Sequence, residues 1–520
     1  MLDLNRLLLF IAILSPVVVL VRTARRAALN RAWQLAAFLV LGVTGLAWLA
    51  LPHLAGYVGG GAWFVLLFLP AVGLRKEAEL VNAERYGAAR RVIGALRWIH
   101  PARALRDEFL FLRAMEAAQN GATEEAAQLL HDLRGDTRAA LQVVAQSFRI
   151  RGDWAGLIGW CRGSLPQVTL GREPMVLPLY FRGLGETGAL DDLVLQVVGQ
   201  APRLLASPQH QGTFDASVLA MLAFTGRVEA LAHLLKTRFA RMPAETKEFW
   251  IGTSELAAGA TGAGHQRLAA LQNKTRNALL RADTATRFRP GQAARVELTP
   301  TTEATVRRFE KNLATRRRSV LAPESSLPTF AVAAIIVLNV AMFLLETKLG
   351  GSTNYGTLHR LGALEPSAVL ARHEYWRLGA ALFLHYGVLH LFVNSYALYV
   401  LGPTLESSLG SFRFAVCYLV AGLGSSAGVV ALWRLGWTRA DLLVGASGAV
   451  MGIVGAWAGL LLRHHRLPMA RRRLVTIGAI VVMQTFFDFL TPQISMAAHL
   501  CGLVSGLAIG LLLAPQQEAW

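Results

Sequence analysis

The sequence predicts an all-α, polytopic membrane protein with three N-terminal spans, a soluble α-solenoid-like domain and a C-terminal bundle of six membrane helices. Three observations carry that expectation. Of the 520 residues, 54% are hydrophobic and 16% charged, too apolar a balance for an ordinary soluble protein. Apolar runs near spanning length recur at both ends of the chain, with none between about residues 75 and 290. The Lys and Arg residues behind the net charge of +19 lie mostly beside those runs, where cytoplasmic loops meet anionic lipid. That distribution reads as membrane topology and argues against a nucleic-acid partner.

The first region, 1–74, holds apolar runs at 7–21, 32–51 and 57–74. The first is read as a retained span and not a signal peptide, because no basic segment precedes it and no small-residue cleavage site follows it. Arg22, Arg25, Arg26 and Arg31 fill the first connection, no Lys or Arg occurs in 52–56, and Arg75 and Lys76 follow the third run. The positive-inside rule then puts the N-terminus outside and the residues after 74 in the cytoplasm.

From 75 to 290 the pattern is amphipathic and rich in Ala and Leu, as expected of a water-soluble helical domain. A glycine followed by a helix-forming run recurs at Gly87, Gly121, Gly152, Gly188, Gly226 and Gly262, in segments such as NGATEEAAQLL, RGDWAGLI and TGRVEALAHLL. The intervals of 34, 31, 36, 38 and 36 residues are close to the period of helix-turn-helix solenoids. The region resembles a degenerate tetratricopeptide-type array, and a helical domain with loosely spaced glycines is the other reading. An array would offer its concave face to a peptide or protein partner. Residues 291–326, with Arg307, Arg308 and Arg316 to Arg318, read as a polar linker.

The last region, 327–515, holds six apolar runs at 327–345, 378–401, 414–433, 447–462, 474–490 and 497–513. Arg463, Arg466 and Arg471 to Arg473 crowd one connection, which places it in the cytoplasm and the C-terminus inside. The three cysteines, Cys161, Cys417 and Cys501, are far apart and suggest neither a disulfide framework nor a metal site.

Polar groups inside a span are costly, so each is a functional candidate. GASGAVMG, at 445–452, sets Ser447 among small residues at the outer end of an inward-running helix, whose N-terminus lends positive charge where an oxyanion would form. AAHLCGLVSGLAIG, at 497–510, puts His499 on one face with Gly502, Gly506 and Gly510. Packing that face on Gly448, Gly452, Gly455 and Gly459 would bring a hydroxyl and an imidazole together near the outer leaflet. HYGVLHLFVN, at 385–394, puts His390 and Asn394 one turn apart, both able to donate to a developing negative charge. No carboxylate or cysteine joins these histidines at ligand spacing, so no metal and no other cofactor is expected.

With six spans in order, EYWR before the second, HxxxN within it, GASG opening the fourth and AHxxGxxxG opening the sixth, residues 327–515 resemble the rhomboid family of intramembrane proteases. The resemblance implies a Ser-His dyad: Ser447 as nucleophile, His499 as general base and then acid, and an oxyanion hole from the Ser447 amide, His390 and Asn394. It implies supporting roles for His385, Gly445 and Gly448, and for Arg377 and Glu406 a structural role bracing the first long loop. It implies a substrate too, a single-span membrane protein cut near its outer end, entering past the fifth span, 474–490, and a cap at 491–496. Asp488 departs from the apolar gate expected there. It reads as a carboxylate reaching the interface, with orientation of His499 as the alternative. A bacterial inner membrane is the expected location. Two other readings stay open: a rhomboid-like protein that binds membrane clients without cutting them, and a transporter with a regulatory helical domain.

Overall fold

The computed structural model describes residues 4–23, 31–100, 103–133, 138–165, 176–205, 210–289, 297–316, 329–439, 442–465, 468–491 and 495–513. Among the described residues every regular element is a helix, and Leu364 and Leu443 form an isolated antiparallel bridge. The chain divides into two compact units, one of residues 8–313 and one of residues 1–7 with 314–520. Leu4–Val21, Arg31–Ala50, Ala55–Asn82, Phe330–Lys348, Val388–Leu409, Ser411–Arg434 and Met496–Leu513 are long and apolar enough to cross a membrane, and each overlaps an expected span. The remaining two expected spans are the helices Ser447–Arg463, with 17 residues, and Pro468–Leu490, which carries Arg471, Arg472 and Arg473 near its start.

In the unit of residues 8–313, the helix Ala55–Asn82 runs past the expected end of the third span at Leu74, because RKEAELVN continues with good helix formers. Pro70 has no N–H to offer the carbonyl of Leu66. That carbonyl lies in a π turn, Phe64–Phe68, and accepts instead from His100 Nε2 at 2.6 Å.

Helical hairpins follow one another from there. The pairs are Ala55–Asn82 with Tyr86–Ile99, Arg103–Gln119 with Thr123–Asp132, and Arg138–Arg151 with Trp154–Ser164. Then come Leu177–Glu186 with Leu190–Leu205, Gln211–Phe224 with Val228–Thr237, and Ala244–Ala257 with Thr261–Lys274. Each pair turns on one left-handed residue: Glu84, Gly121, Gly152, Gly188, Gly226 and Gly259, with φ between 53° and 88°. The residue after each donates its N–H five residues back, as Arg85 does to Leu80 and Arg227 to Leu222, which satisfies a helix-end carbonyl. Gly87 and Gly262, expected at turns, lie inside helices, their places being taken by Glu84 and Gly259.

Ala278–Thr286 packs on both Arg103–Gln119 and Ala244–Ala257, so the row of hairpins curves back on itself. A buried ion cluster secures this closure. Arg287 donates to both carboxylate oxygens of Glu186 at 2.7 and 2.8 Å, and Arg182 pairs with Glu186 at 3.2 Å and with Asp283 at 2.7 Å. The expected linker, 291–326, contains the helix Pro300–Arg316, which buries Thr302 and Val306 and sets Phe309 6.4 Å from Phe214. Residues 291–296 and 317–326 of it lie outside the described residues.

In the other unit Ser447–Arg463 is central, packing on Val388–Leu409, Ser411–Arg434, Pro468–Leu490 and Met496–Leu513. The run expected as one span at 378–401 is broken. A short helix, Arg377–Ala380, and a 3-10 turn, Ala381–Phe383, lead to an extended Leu384 and to Gly387 at φ 83°, where the continuous helix Val388–Leu409 begins. Residues 492–494 of the expected cap lie outside the described residues.

Candidate active site

Glycine determines how the helix of Ser447 meets the helix of His499. A Cβ on Gly502 would collide with the carbonyl of Gly448, one on Gly506 with that of Gly452, and one on Gly510 with that of Ala456. Gly455 and Gly459 are pressed in the same way by the backbone at Leu503 and Leu507. Contacts at 448 with 502, 452 with 506 and 456 with 510 mean two parallel helices in constant register. The N-terminal turns holding Ser447 and His499 therefore stand at one level. Ser425 reinforces this end, its Oγ donating to the Ala498 carbonyl at 2.6 Å through space that a side chain at Gly448 would fill.

Ser447 is the first residue of its helix and is partly exposed to a cavity of about 290 Å³ that His390, Gly445, Gly448, Ser425 and Ala498 also line. Its backbone N–H, in the first turn, has no intrahelical acceptor to take. The preceding turn is tied down three times: Gly445 N–H donates to Ala381 O at 2.9 Å, and Leu364 and Leu443 exchange N–H···O bonds of 2.8 Å. Gly445 has φ 129°, and a Cβ there would stand 2.9 Å from His390 Nε2. Only glycine fits both conditions.

His390 and Asn394 occupy successive turns of Val388–Leu409. The N–H of Tyr386 donates to His390 Nδ1 at 3.3 Å, which leaves the ring proton on Nε2, the atom facing Gly445. Asn394 is buried and its Nδ2 has no hydrogen-bond partner among the described residues. Two donors thus converge beside the Ser447 turn with spare capacity. His385 lies in the break before this helix, its ring edge-on to His390 at 5.5 Å, its N–H donating to Glu346 at 3.0 Å and its Nδ1 bonded to the Phe383 carbonyl at 3.2 Å.

His499 is buried in the first turn of Met496–Leu513, a helix capped by Ser495, whose Oγ accepts from the N–H of Ala498 at 3.2 Å. Its Nδ1 lies 2.7 Å from Asp488 Oδ2, and Gln484 Nε2 donates to Asp488 Oδ1 at 2.8 Å. The Asp488 side chain is 1% exposed. This corrects the expectation of a carboxylate reaching the interface: Asp488 turns inward because His499 and Gln484 supply donors that lipid does not. Gln484 escaped the sequence reading, although a Gln and an Asp four apart in an apolar run share a face and form a signal of the same kind as HxxxN.

The two residues expected to brace the first long loop lie apart. Arg377, buried, donates to the carbonyls of His359 at 2.7 Å and Ala363 at 3.0 Å and pairs with Glu374. Glu406 lies elsewhere. Its carboxylate accepts from the N–H groups of Ala331 and Val332 at 2.8 and 2.9 Å and from Ser411 Oγ at 2.6 Å. It caps Phe330–Lys348, whose first-turn N–H groups would otherwise be orphaned. Among the described residues no three His, Cys, Asp or Glu side chains gather as a metal ion would require.

The family model of the Rhomboid domain matches residues 372–516. RHOMBOID-like protein 1 of Arabidopsis thaliana is 35% identical over 163 residues, 31% of this chain and 40% of that protein. Rhomboid protease GluP of Bacillus subtilis (strain 168) is 36% identical over 189 residues, 35% of each chain. The chain thus spans less than half the length of these two relatives. The rhomboid relative YdcA of the same bacterium is 31% identical over 151 residues, 29% of this chain but 72% of its own length. Apolar helices of spanning length, the glycine seam and a match to most of a relative's length together carry one conclusion: the chain is an integral membrane protein that belongs to the rhomboid family.

Proposed function

We propose that the chain is an intramembrane serine peptidase that cuts single-span membrane proteins near the outer face of a bacterial inner membrane. In this reading Ser447 Oγ attacks the peptide carbonyl and His499 Nε2 takes its proton, later giving it to the leaving amine. The carbonyl oxygen, negative in the tetrahedral intermediate, receives hydrogen bonds from the Ser447 N–H, His390 Nε2 and Asn394 Nδ2. The observation that carries the reading is the parallel glycine seam, which sets the serine and histidine turns at one level beside two side-chain donors, His390 and the buried Asn394. The relatives named for rhomboid proteases support it as well.

For the hairpin unit the proposal is a protein or peptide partner on the cytoplasmic side. The helix Ala278–Thr286 already occupies part of the space between the hairpins. A cavity of about 190 Å³ beside Tyr86, Arg149, Phe239 and Asn277 remains, and it supports docking of a side chain or two over enclosure of a whole helix.

Cleavage of a model single-span substrate in proteoliposomes tests the reading, wild type against Ser447→Ala. Turnover by the wild type and loss of at least about a thousandfold in the variant is expected. Equal cleavage by both, or substrate binding without cleavage by the wild type, overturns it, the latter outcome favouring a client-binding protein.

A further inference from the structure

The Ser-His dyad described above leaves one polar constellation unused. Pro468–Leu490 carries Gln484 and Asp488 one turn apart, both directed at His499 on the following helix. A carboxylate 1% exposed among apolar spans must be compensated, and its described polar partners are an imidazole nitrogen at 2.7 Å and a carboxamide nitrogen at 2.8 Å. We infer that Asp488 is a positioning residue, held by Gln484, that completes a Ser447–His499–Asp488 relay in which the aspartate selects the tautomer and ring orientation of the base. This rests on the peptidase reading above.

A carboxylate oxygen only accepts, so Nδ1 of His499 must carry a proton toward Asp488 Oδ2. In the neutral ring Nε2 then bears the lone pair, which is what removal of the Ser447 proton requires. Gln484 Nε2 lies 3.5 Å from the same Nδ1, at the limit of a hydrogen bond, and as a donor it would favour the opposite tautomer. The shorter, charge-assisted contact to Asp488 decides between them, and Gln484 is left to donate to Oδ1. The step balances without further reagents. As Oγ–C forms, the Ser447 proton passes to Nε2. As C–N breaks, that proton leaves with the amine. Throughout, the Nδ1 proton stays on His499 and Asp488 stays ionised, stabilising the imidazolium between the two transfers.

The pairing of Gln484 with Oδ1 makes Asp488→Asn a sharp test. With Gln484 holding the carboxamide oxygen, the new NH₂ faces His499 Nδ1 and donates to it, driving the ring proton to Nε2, where it blocks proton uptake from Ser447. The expected result for full-length protein in detergent is a fall in kcat of about 10³- to 10⁴-fold for Asp488→Asn. KM should stay close to wild type, Asp488→Ala should lose less, and Asp488→Glu should recover part of the rate. Nitrogen-15 spectra of neutral wild-type protein labelled at histidine should assign the His499 proton to Nδ1, and those of Asp488→Asn to Nε2. Wild-type turnover with Asp488→Asn equally active overturns the inference and leaves the peptidase standing, as does a wild-type His499 protonated at Nε2. An inactive wild type overturns the peptidase reading itself. Should the variants fail to fold, the wild-type spectrum alone still decides.

Discussion

Asn394 shows how a single residue separates stability from chemistry. Its Nδ2 is buried without a partner among the described residues, a cost in the resting protein that is recovered when a negative oxygen occupies the neighbouring space. Asn394→Leu, nearly isosteric, removes that unpaired donor. It should therefore leave the melting temperature unchanged or slightly raised while lowering kcat by about 10²- to 10³-fold, measured on one preparation by thermal unfolding and by substrate cleavage. A parallel loss of both would mean that Asn394 only supports the fold. At this scale Ser447, His499, His390 and Asn394 were legible because each is a polar residue in an apolar run. The pairing of Asp488 with His499 was legible only as the lesser alternative, since it depends on the rotation of two helices joined by a connection, and sequence spacing is silent on that. Glu406 was misplaced for a related reason: a motif names a residue, not which helix start its carboxylate will cap.

Helices here are specified by where glycine must be and where it is merely convenient. In the seam, a methyl at Gly506 meets the Gly452 carbonyl, and neither backbone can move without breaking its own ladder. Gly506→Ala should cost about 1–3 kcal/mol or more by overpacking and should depress cleavage as the serine and histidine turns part. The hairpin turns offer a contrast. Gly152, at φ 68°, faces open space, so Gly152→Ala should cost only the left-handed strain of about 1–2 kcal/mol. At Gly226, φ 72°, a Cβ would stand 2.7 Å from the Ala258 N, and Gly226→Ala should cost clearly more than Gly152→Ala, as read from thermal unfolding of the two variants side by side. Hairpin spacing was legible through Gly121, Gly152, Gly188 and Gly226. The first turn was hidden because Glu84 adopts the left-handed conformation without being glycine, and the last because Gly259 and Gly262 lie three residues apart and only the backbone chooses between them. The helix Pro300–Arg316 was hidden by its threonines and arginines, since among its described side chains Thr302 and Val306 are buried and Phe309 is partly buried.

Over the whole chain, the alternation of spanning runs with an amphipathic middle was visible in composition, whereas closure of the hairpin row was not, because it joins residues about a hundred positions apart. Arg287, at the end of Ala278–Thr286, meets Glu186, and Arg182 meets Asp283 across the same gap. Burial alone would push the Glu186 carboxyl up, but Arg287 and Arg182 outweigh it and hold it below the ordinary carboxylate value. A carboxyl depressed in the folded state stabilises fully above its unfolded value, near pH 4.3, and that contribution is lost as pH falls through the folded value. The full-length protein should therefore lose stability in its hairpin unit on acidification below about pH 4. Glu186→Gln removes the carboxylate that both buried guanidinium groups share, and breaking a buried pair on one side typically costs about 3–5 kcal/mol. The variant should melt at lower temperature at neutral pH and should show a weaker dependence on acid than the wild type. Because Ser447 and His499 belong to the other compact unit, with its own buried core, cleavage measured below that transition should be unaffected. A variant that melts like the wild type at pH 7 would mean that apolar packing of Ala278–Thr286, and not the ion cluster, closes the row.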